Sequence, residues 1–166
     1  MTDTLLPPDI IELATRVVAE SRDAGRTIAL AESCTGGLVC AALTEISGSS
    51  SVLDRGFITY SNEAKMEQLG VSHDIIETFG AVSIACVWAM AQGALRNSNA
   101  DIAVAISGVA GPGGGTPTKP VGTVVFARAI RGEDAEPEGE LKSFGDLGRG
   151  GIRRQATICA LELLLP

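Results

Sequence analysis

One histidine, one tyrosine and one tryptophan in 166 residues, with aromatics at 4%, leave this chain short of the side chains that most often do chemistry or stack on bases. The histidine, His73, lies in GVSHDIIE, where Ser72 reads as a helix cap and His73 as an exposed first-turn residue, so a Ser-His-Asp triad finds no support. Basic residues are outnumbered 13 to 20 and the net charge is −7, which argues against nucleic acid and anionic membrane surfaces as partners. A small phosphorylated ligand, needing one or two local cations, stays compatible with that balance. No uncharged apolar run approaches the ~18 residues of a spanning helix, and the N-terminus lacks a basic segment feeding an apolar one. The four cysteines, Cys34, Cys40, Cys86 and Cys159, sit singly, without Cys-x-x-Cys spacing. They imply a reduced, cytoplasmic protein with no disulfide framework and no ordinary transition-metal site.

What is present is apolar: 45% hydrophobic residues, enough for one globular core and too few residues for two. Residues 1–166 are therefore read as a single domain. Residues 8–24 carry Ile10, Ile11, Leu13, Ala14, Val17 and Val18 at helical spacing, with Gly25 as the stop. Thr27 to Ala31 reads as a strand running into the turn Glu32-Ser33-Cys34-Thr35-Gly36-Gly37, with helical periodicity from Leu38 to Ile46. Phe57 to Tyr60 reads as a strand, followed by Asn62 as the cap of a helix over Glu63 to Leu69. Residues 83–96 form an alanine-rich helix whose Trp88 and Met90 read as core, and 102–107 a continuous apolar strand. After a glycine-rich loop, Gly108 to Pro120, come a strand from Val121 to Ala129, an exposed acidic turn over Arg131 to Glu140, and a strand near Leu141 to Phe144. A last helix runs from about Gly151 to Leu165. The order predicts an α/β fold, a three-layer α/β/α sandwich around a mixed, mostly parallel sheet of about five strands, with 121–145 as an antiparallel hairpin.

Sites in such sheets gather at the carboxyl ends of strands. Ser33, in a strand-to-helix turn followed by glycines, reads either as an N-cap or as a nucleophile with oxyanion donors behind it. Without a triad histidine, an activated serine needs a lysine, tyrosine or carboxylate as base. The chain has only Lys65, Lys119 and Lys142, and Tyr60 and Lys65 lie five positions apart across a strand end and helix start. The loop from Gly108, with Gly111, Gly113, Gly114 and Gly115, suits close approach to a ligand and equally a plain connection, and it lacks the Walker pattern. Arg149, just before the last helix, could bind an anion, whereas Arg153 and Arg154 are expected to face solvent.

The runs LAESCTGGLVCAALTEISGSSSVLDRGFITYSNEAKMEQLGV, AISGVAGPGGGTPTKPVGTV and GRGGIRRQATICALELL resemble the CinA C-terminal domain family, also known as nicotinamide-nucleotide amidohydrolases. The likeness extends from about Ile10 to Leu165. It implies an α/β/α fold like that of anticodon-binding domains, and deamidation of nicotinamide mononucleotide to nicotinate mononucleotide and ammonia in pyridine nucleotide recycling. Carried over, the ESCTGG serine is Ser33, the YSNEAK tyrosine and lysine are Tyr60 and Lys65, and the arginine is Arg149. This chain has Ser107-Gly108 where many members have Thr-Gly, and Leu147-Gly148-Arg149 where many have Gly-Asp-Arg. The pyrophosphatase-type domain of longer members has no room here. The expectation is a cleft in which Ser33 attacks, Lys65 with Tyr60 moves the proton, and N–H groups near Thr35, Gly36 and Gly37 hold the oxyanion. The ribose phosphate lies against Arg149 and the glycine loop at Gly108 and Gly111, with Ser107 as hydroxyl partner, and Cys34 takes no chemical role. Neither metal nor cofactor is implied. Alternatives are a nucleotide-binding or regulatory module without turnover, and an amidase for another substrate. Trp88 and the helix 83–96 are a candidate surface for a homo-oligomer.

Overall fold

A computed structural model describes residues 3–133 and 136–166. Five strands form one sheet in the order β2-β1-β3-β4-β5, where β1 is Ile28–Glu32, β2 Leu53–Ile58, β3 Ile102–Gly108, β4 Thr123–Ile130 and β5 Glu138–Ser143. β1 pairs in parallel with β2 and β3, whereas β4 runs antiparallel to both β3 and β5. The sheet is thus mixed, with β4 alone reversed. The expected hairpin is present as β4 and β5.

Strand alternation sends successive side chains to opposite faces. Ile28, Leu30, Ile102, Val104, Ile106, Val124 and Phe126 face one way, into a core shared with α1 (Pro8–Asp23), α2 (Leu38–Thr44) and α6 (Gly148–Leu164). The intervening Ala29, Ala31, Ala103, Ala105, Ala127 and Ala129 face the other way, toward α3 (Asn62–Leu69), α4 (His73–Phe79) and α5 (Ile84–Arg96). One face is bulky and the other nearly flat, so α5 can lie close on the alanine side. Met90 is fully buried there, while Trp88 is only partly buried and packs against Gly139 of β5. The apolar side of α5 is taken by the sheet, and only Gln92 and Arg96 of that helix are exposed. Of the surface expected to serve self-association, Met90 is packed inside, whereas Ile84, Ala85, Trp88, Ala89 and Leu95 keep partial exposure.

Several boundaries move. The cap of α3 is Ser61 rather than Asn62: Ser61 has extended backbone and accepts the Ala64 N–H at 3.0 Å, while Asn62 is already helical. The ladder of β2 ends at Ile58, leaving Thr59 and Tyr60 beyond it. α2 stops at Thr44, short of Ile46, and β4 starts at Thr123 because Val121 and Gly122 are used in the turn closed by Thr123 N–H on the Pro120 carbonyl. The expected turn over Arg131 to Glu140 is shortened by β5 beginning at Glu138; its residues 134–135 lie outside the described residues. α6 begins at Gly148, which puts Arg149 inside its first turn.

α5 touches the end of α3 at a glycine. A Cβ on Gly93 would run into the Leu69 carbonyl, whereas one on Gly150, in α6, would meet open space. Alanine gains about 1 kcal/mol over glycine in a helix interior, yet overpacking costs about 1–3 kcal/mol. Gly93→Ala is expected to lower the urea midpoint and Gly150→Ala to leave it unchanged or raise it. Equal shifts in both variants would remove the close approach as the reason for glycine at position 93.

Candidate active site

The three parallel strands end side by side, with Glu32 in register with Ile58 on one flank and Ile106 on the other. The next residues, Ser33, Thr59 and Ser107, therefore emerge together. Ser33 is followed by a turn in which Gly36 (φ +57) and Gly37 (φ +102) adopt the left-handed backbone that a side chain disfavours. Glu32, fully buried, reaches past this turn: its carboxylate accepts N–H groups from Gly37 and Val39 at Oε1 and from Cys40 at Oε2, each at 3.1 Å. A negative charge at the positive end of α2 is favourable, and it satisfies donors that a helix start leaves open.

That arrangement corrects two expectations. Ser33 is not the cap of α2; Glu32 does that work. The N–H groups of Gly36 and Gly37 are also unavailable to an oxyanion, because Gly36 donates to the Ser33 carbonyl and Gly37 to Glu32. Thr35, Gly36 and Gly37 do not line the adjoining cleft. Cys34 and Thr35 are left with N–H groups that meet no acceptor among the described residues.

Lys65 is 1% exposed. Side chains on a helix lean toward its N-terminus, so a lysine in the first turns of α3 points back at the end of β2. Its Nζ donates to the Thr59 carbonyl at 2.7 Å, the Tyr60 carbonyl at 3.2 Å and Ser33 Oγ at 3.0 Å. Burial pushes the amine below its ordinary 10.5, with the neighbouring Cys86 and Cys34 thiols acting weakly in the opposite sense. Arg149 does not contribute to this shift. Cys34 packs in the core with its thiol pushed up to about 11 by burial, a poor nucleophile near neutral pH.

The cleft next to this pair has a volume of about 280 Å³. Ser33, Cys34, Tyr60, Lys65, Ser107, Gly108, Gly111 and Arg149 all line it, so residues singled out from distant parts of the sequence converge. Ser107 is 2% exposed, with no protein partner for its hydroxyl among the described residues. Tyr60 contacts Lys65 through its main chain and not through its hydroxyl, which accepts from Arg149 Nη2 at 3.1 Å. Arg149 Nη1 donates to the Gly111 carbonyl at 2.7 Å, tying the glycine loop to α6 across the cleft mouth. Asn62, Ala81, Val82, Val109, Ala110, Gly113 and Gly114 complete the wall. Asn62 was legible only as a cap, and Ala81 and Val82 carry no local signal. Arg153 overturns its solvent-facing expectation, donating from Nε to the Cys34 carbonyl at 3.0 Å, whereas Arg154 does face solvent in an ion pair with Asp9.

The profile described as CinA C-terminal domain matches residues 10–166. This chain belongs to that family. It is 46% identical over 164 residues to nicotinamide-nucleotide amidohydrolase PncC of Escherichia coli strain K12, covering 99% of this chain and 95% of that one. It is 53% identical over 152 residues to a CinA-like protein of Syntrophotalea carbinolica, covering 92% of this chain and 36% of the longer relative. The chain thus spans about a third of such longer relatives and nearly all of the shorter ones. The crystal structure of competence/damage inducible protein CihA from Agrobacterium tumefaciens superposes with a TM-score of 0.93 at 48% identity, over 97% of this chain and 96% of that one. No helix among the described residues is long and apolar enough to cross a membrane.

Glu32→Gln replaces an all-acceptor carboxylate by an amide whose NH₂ must face a backbone donor. A buried donor left without its acceptor costs about 1–3 kcal/mol, so the variant is expected to unfold at lower urea by that amount. An unchanged midpoint would mean that the three bonds to α2 contribute nothing to the fold.

Proposed function

We propose that the protein hydrolyses the carboxamide of nicotinamide mononucleotide to nicotinate mononucleotide and ammonia, a step in pyridine nucleotide recycling, with Ser33 as nucleophile and Lys65 as its base. The observation that carries this reading is the 3.0 Å contact between Lys65 Nζ and Ser33 Oγ on a buried lysine whose two other partners are carbonyls. Carbonyls only accept. A neutral Lys65 must therefore direct both N–H bonds at Thr59 and Tyr60, and its lone pair is left facing the Ser33 hydroxyl. The relatives named amidohydrolases over nearly the full chain support the substrate class.

Ser33 Oγ adds to the carboxamide carbon as its proton passes to Lys65 Nζ. The tetrahedral intermediate collapses with loss of the C–N bond, and the lysine proton goes to the departing nitrogen, giving ammonia and an ester on Ser33. Water then adds to the ester, Lys65 takes the water proton, and Ser33 leaves with that proton restored. Each turnover returns Ser33 and Lys65 to their starting state. Tyr60 serves by its carbonyl, as a partner of the base, and by its hydroxyl, as a partner of Arg149. Arg149 and the glycine loop receive the phosphate, and the Ser107 hydroxyl meets the ligand between the two ends. No metal or cofactor enters any step.

Ammonia release by purified protein, with nicotinamide mononucleotide as substrate, is the direct test. Ser33→Ala is expected to lose ~10³-fold or more in kcat. Wild-type kcat/KM should rise with pH as Lys65 sheds its proton, with a midpoint below 10.5. Lys65→Arg keeps the charge but cannot be deprotonated at accessible pH, so it should be nearly as inactive as Lys65→Ala. An arginine variant with most of the wild-type kcat would reduce Lys65 to an electrostatic helper.

Lys65 and Arg149 are the charged side chains on the cleft wall, and Arg149 lies at its mouth. Loss of a charge-assisted bond to phosphate corresponds to about 10- to 100-fold in affinity, so Arg149→Ala should lose that much kcat/KM on the mononucleotide and far less on its phosphate-free riboside. Equal losses on both substrates would remove Arg149 as the phosphate partner.

A further inference from the structure

The glycine loop is exposed from Pro112 to Thr118, yet both of its flanks are fastened by a cation on a carbonyl. At one end Arg149 Nη1 holds the Gly111 carbonyl. At the other, Lys119 Nζ donates to the Phe79 carbonyl at 2.7 Å, across 40 residues of sequence. Lys119 is itself presented by a closed turn, in which Thr116 N–H donates to its carbonyl at 2.9 Å and its own N–H to Thr116 Oγ1 at 3.0 Å. It is partly buried and forms no ion pair among the described residues. A cation at the end of a helix is favourable in itself. The end of α4 is already closed, however, by Gly80 N–H on the Ile76 carbonyl at 2.8 Å, so what Lys119 adds is a link to the loop.

That link joins two parts of the cleft wall. The loop contributes Gly108, Gly111, Gly113 and Gly114, and the turn after Phe79 contributes Ala81 and Val82. The turn is held on its own side by Ser83 Oγ, which donates to the Gly80 carbonyl at 2.7 Å. Burial pushes the Cys86 thiol up while the amines of Lys65 and Lys119 both draw it down, so one side chain in the first turn of α5 lies near both lysines. The link thus sits at the Lys65 end of the cleft. With the carboxamide at Ser33 and Lys65, the pyridine ring bonded to it takes the adjoining space, where Ala81 and Val82 offer apolar side chains and the glycines bare backbone. We infer that Lys119 is a specificity-determining positioning residue: by holding the glycine loop to the end of α4, it sets the gap between the loop and the Ala81–Val82 turn to the size of an unsubstituted pyridine ring. This rests on the proposed amidase reading.

The test measures kcat/KM for nicotinamide mononucleotide and for its analogue with a methyl group at ring carbon 5, in wild type, Lys119→Met, Lys119→Gln and Lys119→Arg. One added carbon in a fitted pocket is worth about 10- to 200-fold, so wild type should prefer the unsubstituted ring by at least about tenfold. Lys119→Met keeps the apolar stem and loses the donor. Its preference should fall to within about threefold, with the loss on the mononucleotide appearing in KM rather than kcat. Lys119→Gln, too short to keep the bond, should behave alike and decides alone if Lys119→Met does not fold. Lys119→Arg, which can still donate to the Phe79 carbonyl, should retain most of the wild-type preference. A merely structural lysine would depress both substrates alike. A preference unchanged in the Met or Gln variant, or absent from wild type, overturns the inference; wild-type protein that releases no ammonia from the mononucleotide overturns the amidase reading instead.

Discussion

The site depends on a lysine amine held out of water against two carbonyls and a serine hydroxyl. Removing an ammonium from water is costly, and a protein with such a group either pairs the charge or lets it lose its proton. Among the described residues no carboxylate touches Lys65 Nζ, and its partners are the Thr59 and Tyr60 carbonyls and Ser33 Oγ. The absence of an anion among these contacts is what lets burial depress the amine. An aspartate or glutamate in place of either carbonyl would pin the proton on Lys65 and, in the proposed mechanism, disable it as a base. The fold supplies the carbonyls by ending the β2 ladder at Ile58, which leaves Thr59 and Tyr60 between it and the Ser61 cap of α3.

Glu32 performs a complementary task on the other side of Ser33. Helix starts after strands often bind phosphate through their open N–H groups. Here the start of α2 is filled by the chain's own carboxylate, so neither a substrate phosphate nor an oxyanion can use it. Anion recognition has to come from elsewhere, and in a chain of net charge −7 the cation at the cleft mouth is Arg149. Under the proposed reaction the substrate's two ends fall to different elements: the reacting carbon to the end of β1, the phosphate to the start of α6.

Much of this was legible in the sequence because strand and helix periodicities here are strong. The helical spacing over 8–24 and 83–96, the apolar runs of β1 and β3, the Ser72 cap and the Gly25 stop located most elements. Ser33 was found by its strand-to-helix turn, the glycine loop by its composition and Lys65 by scarcity: with one histidine and three lysines, few residues could activate a serine. Three features were not legible, each because it depends on contacts distant in sequence or on the direction of a peptide plane. Glu32 was read only as part of the turn, because nothing local shows its side chain reaching over it to α2. Tyr60 looked like a proton carrier because sequence shows its hydroxyl and hides its carbonyl. Arg153 looked solvated because its partners lie 119 residues away.

The alanine face of the sheet ties core packing to the lysine. Small residues at positions 29, 31, 103 and 105 let α5 lie low on the sheet, where Gly93 admits the Leu69 carbonyl at the end of α3. Arg96 Nη2 donates to that same carbonyl at 3.1 Å, fixing the two helices together. α3 is the helix that carries Lys65, and Cys86, on the first turn of α5, is close enough to influence the amine. A bulkier residue on the alanine face would lift α5, loosen its grip on α3 and admit water to Nζ, restoring the amine toward its ordinary basicity. With Lys65 as the proposed base, its tuning would thus rest on core residues that do not line the cleft, an alanine of β1 or β3 acting on the amine through the depth at which it seats a helix.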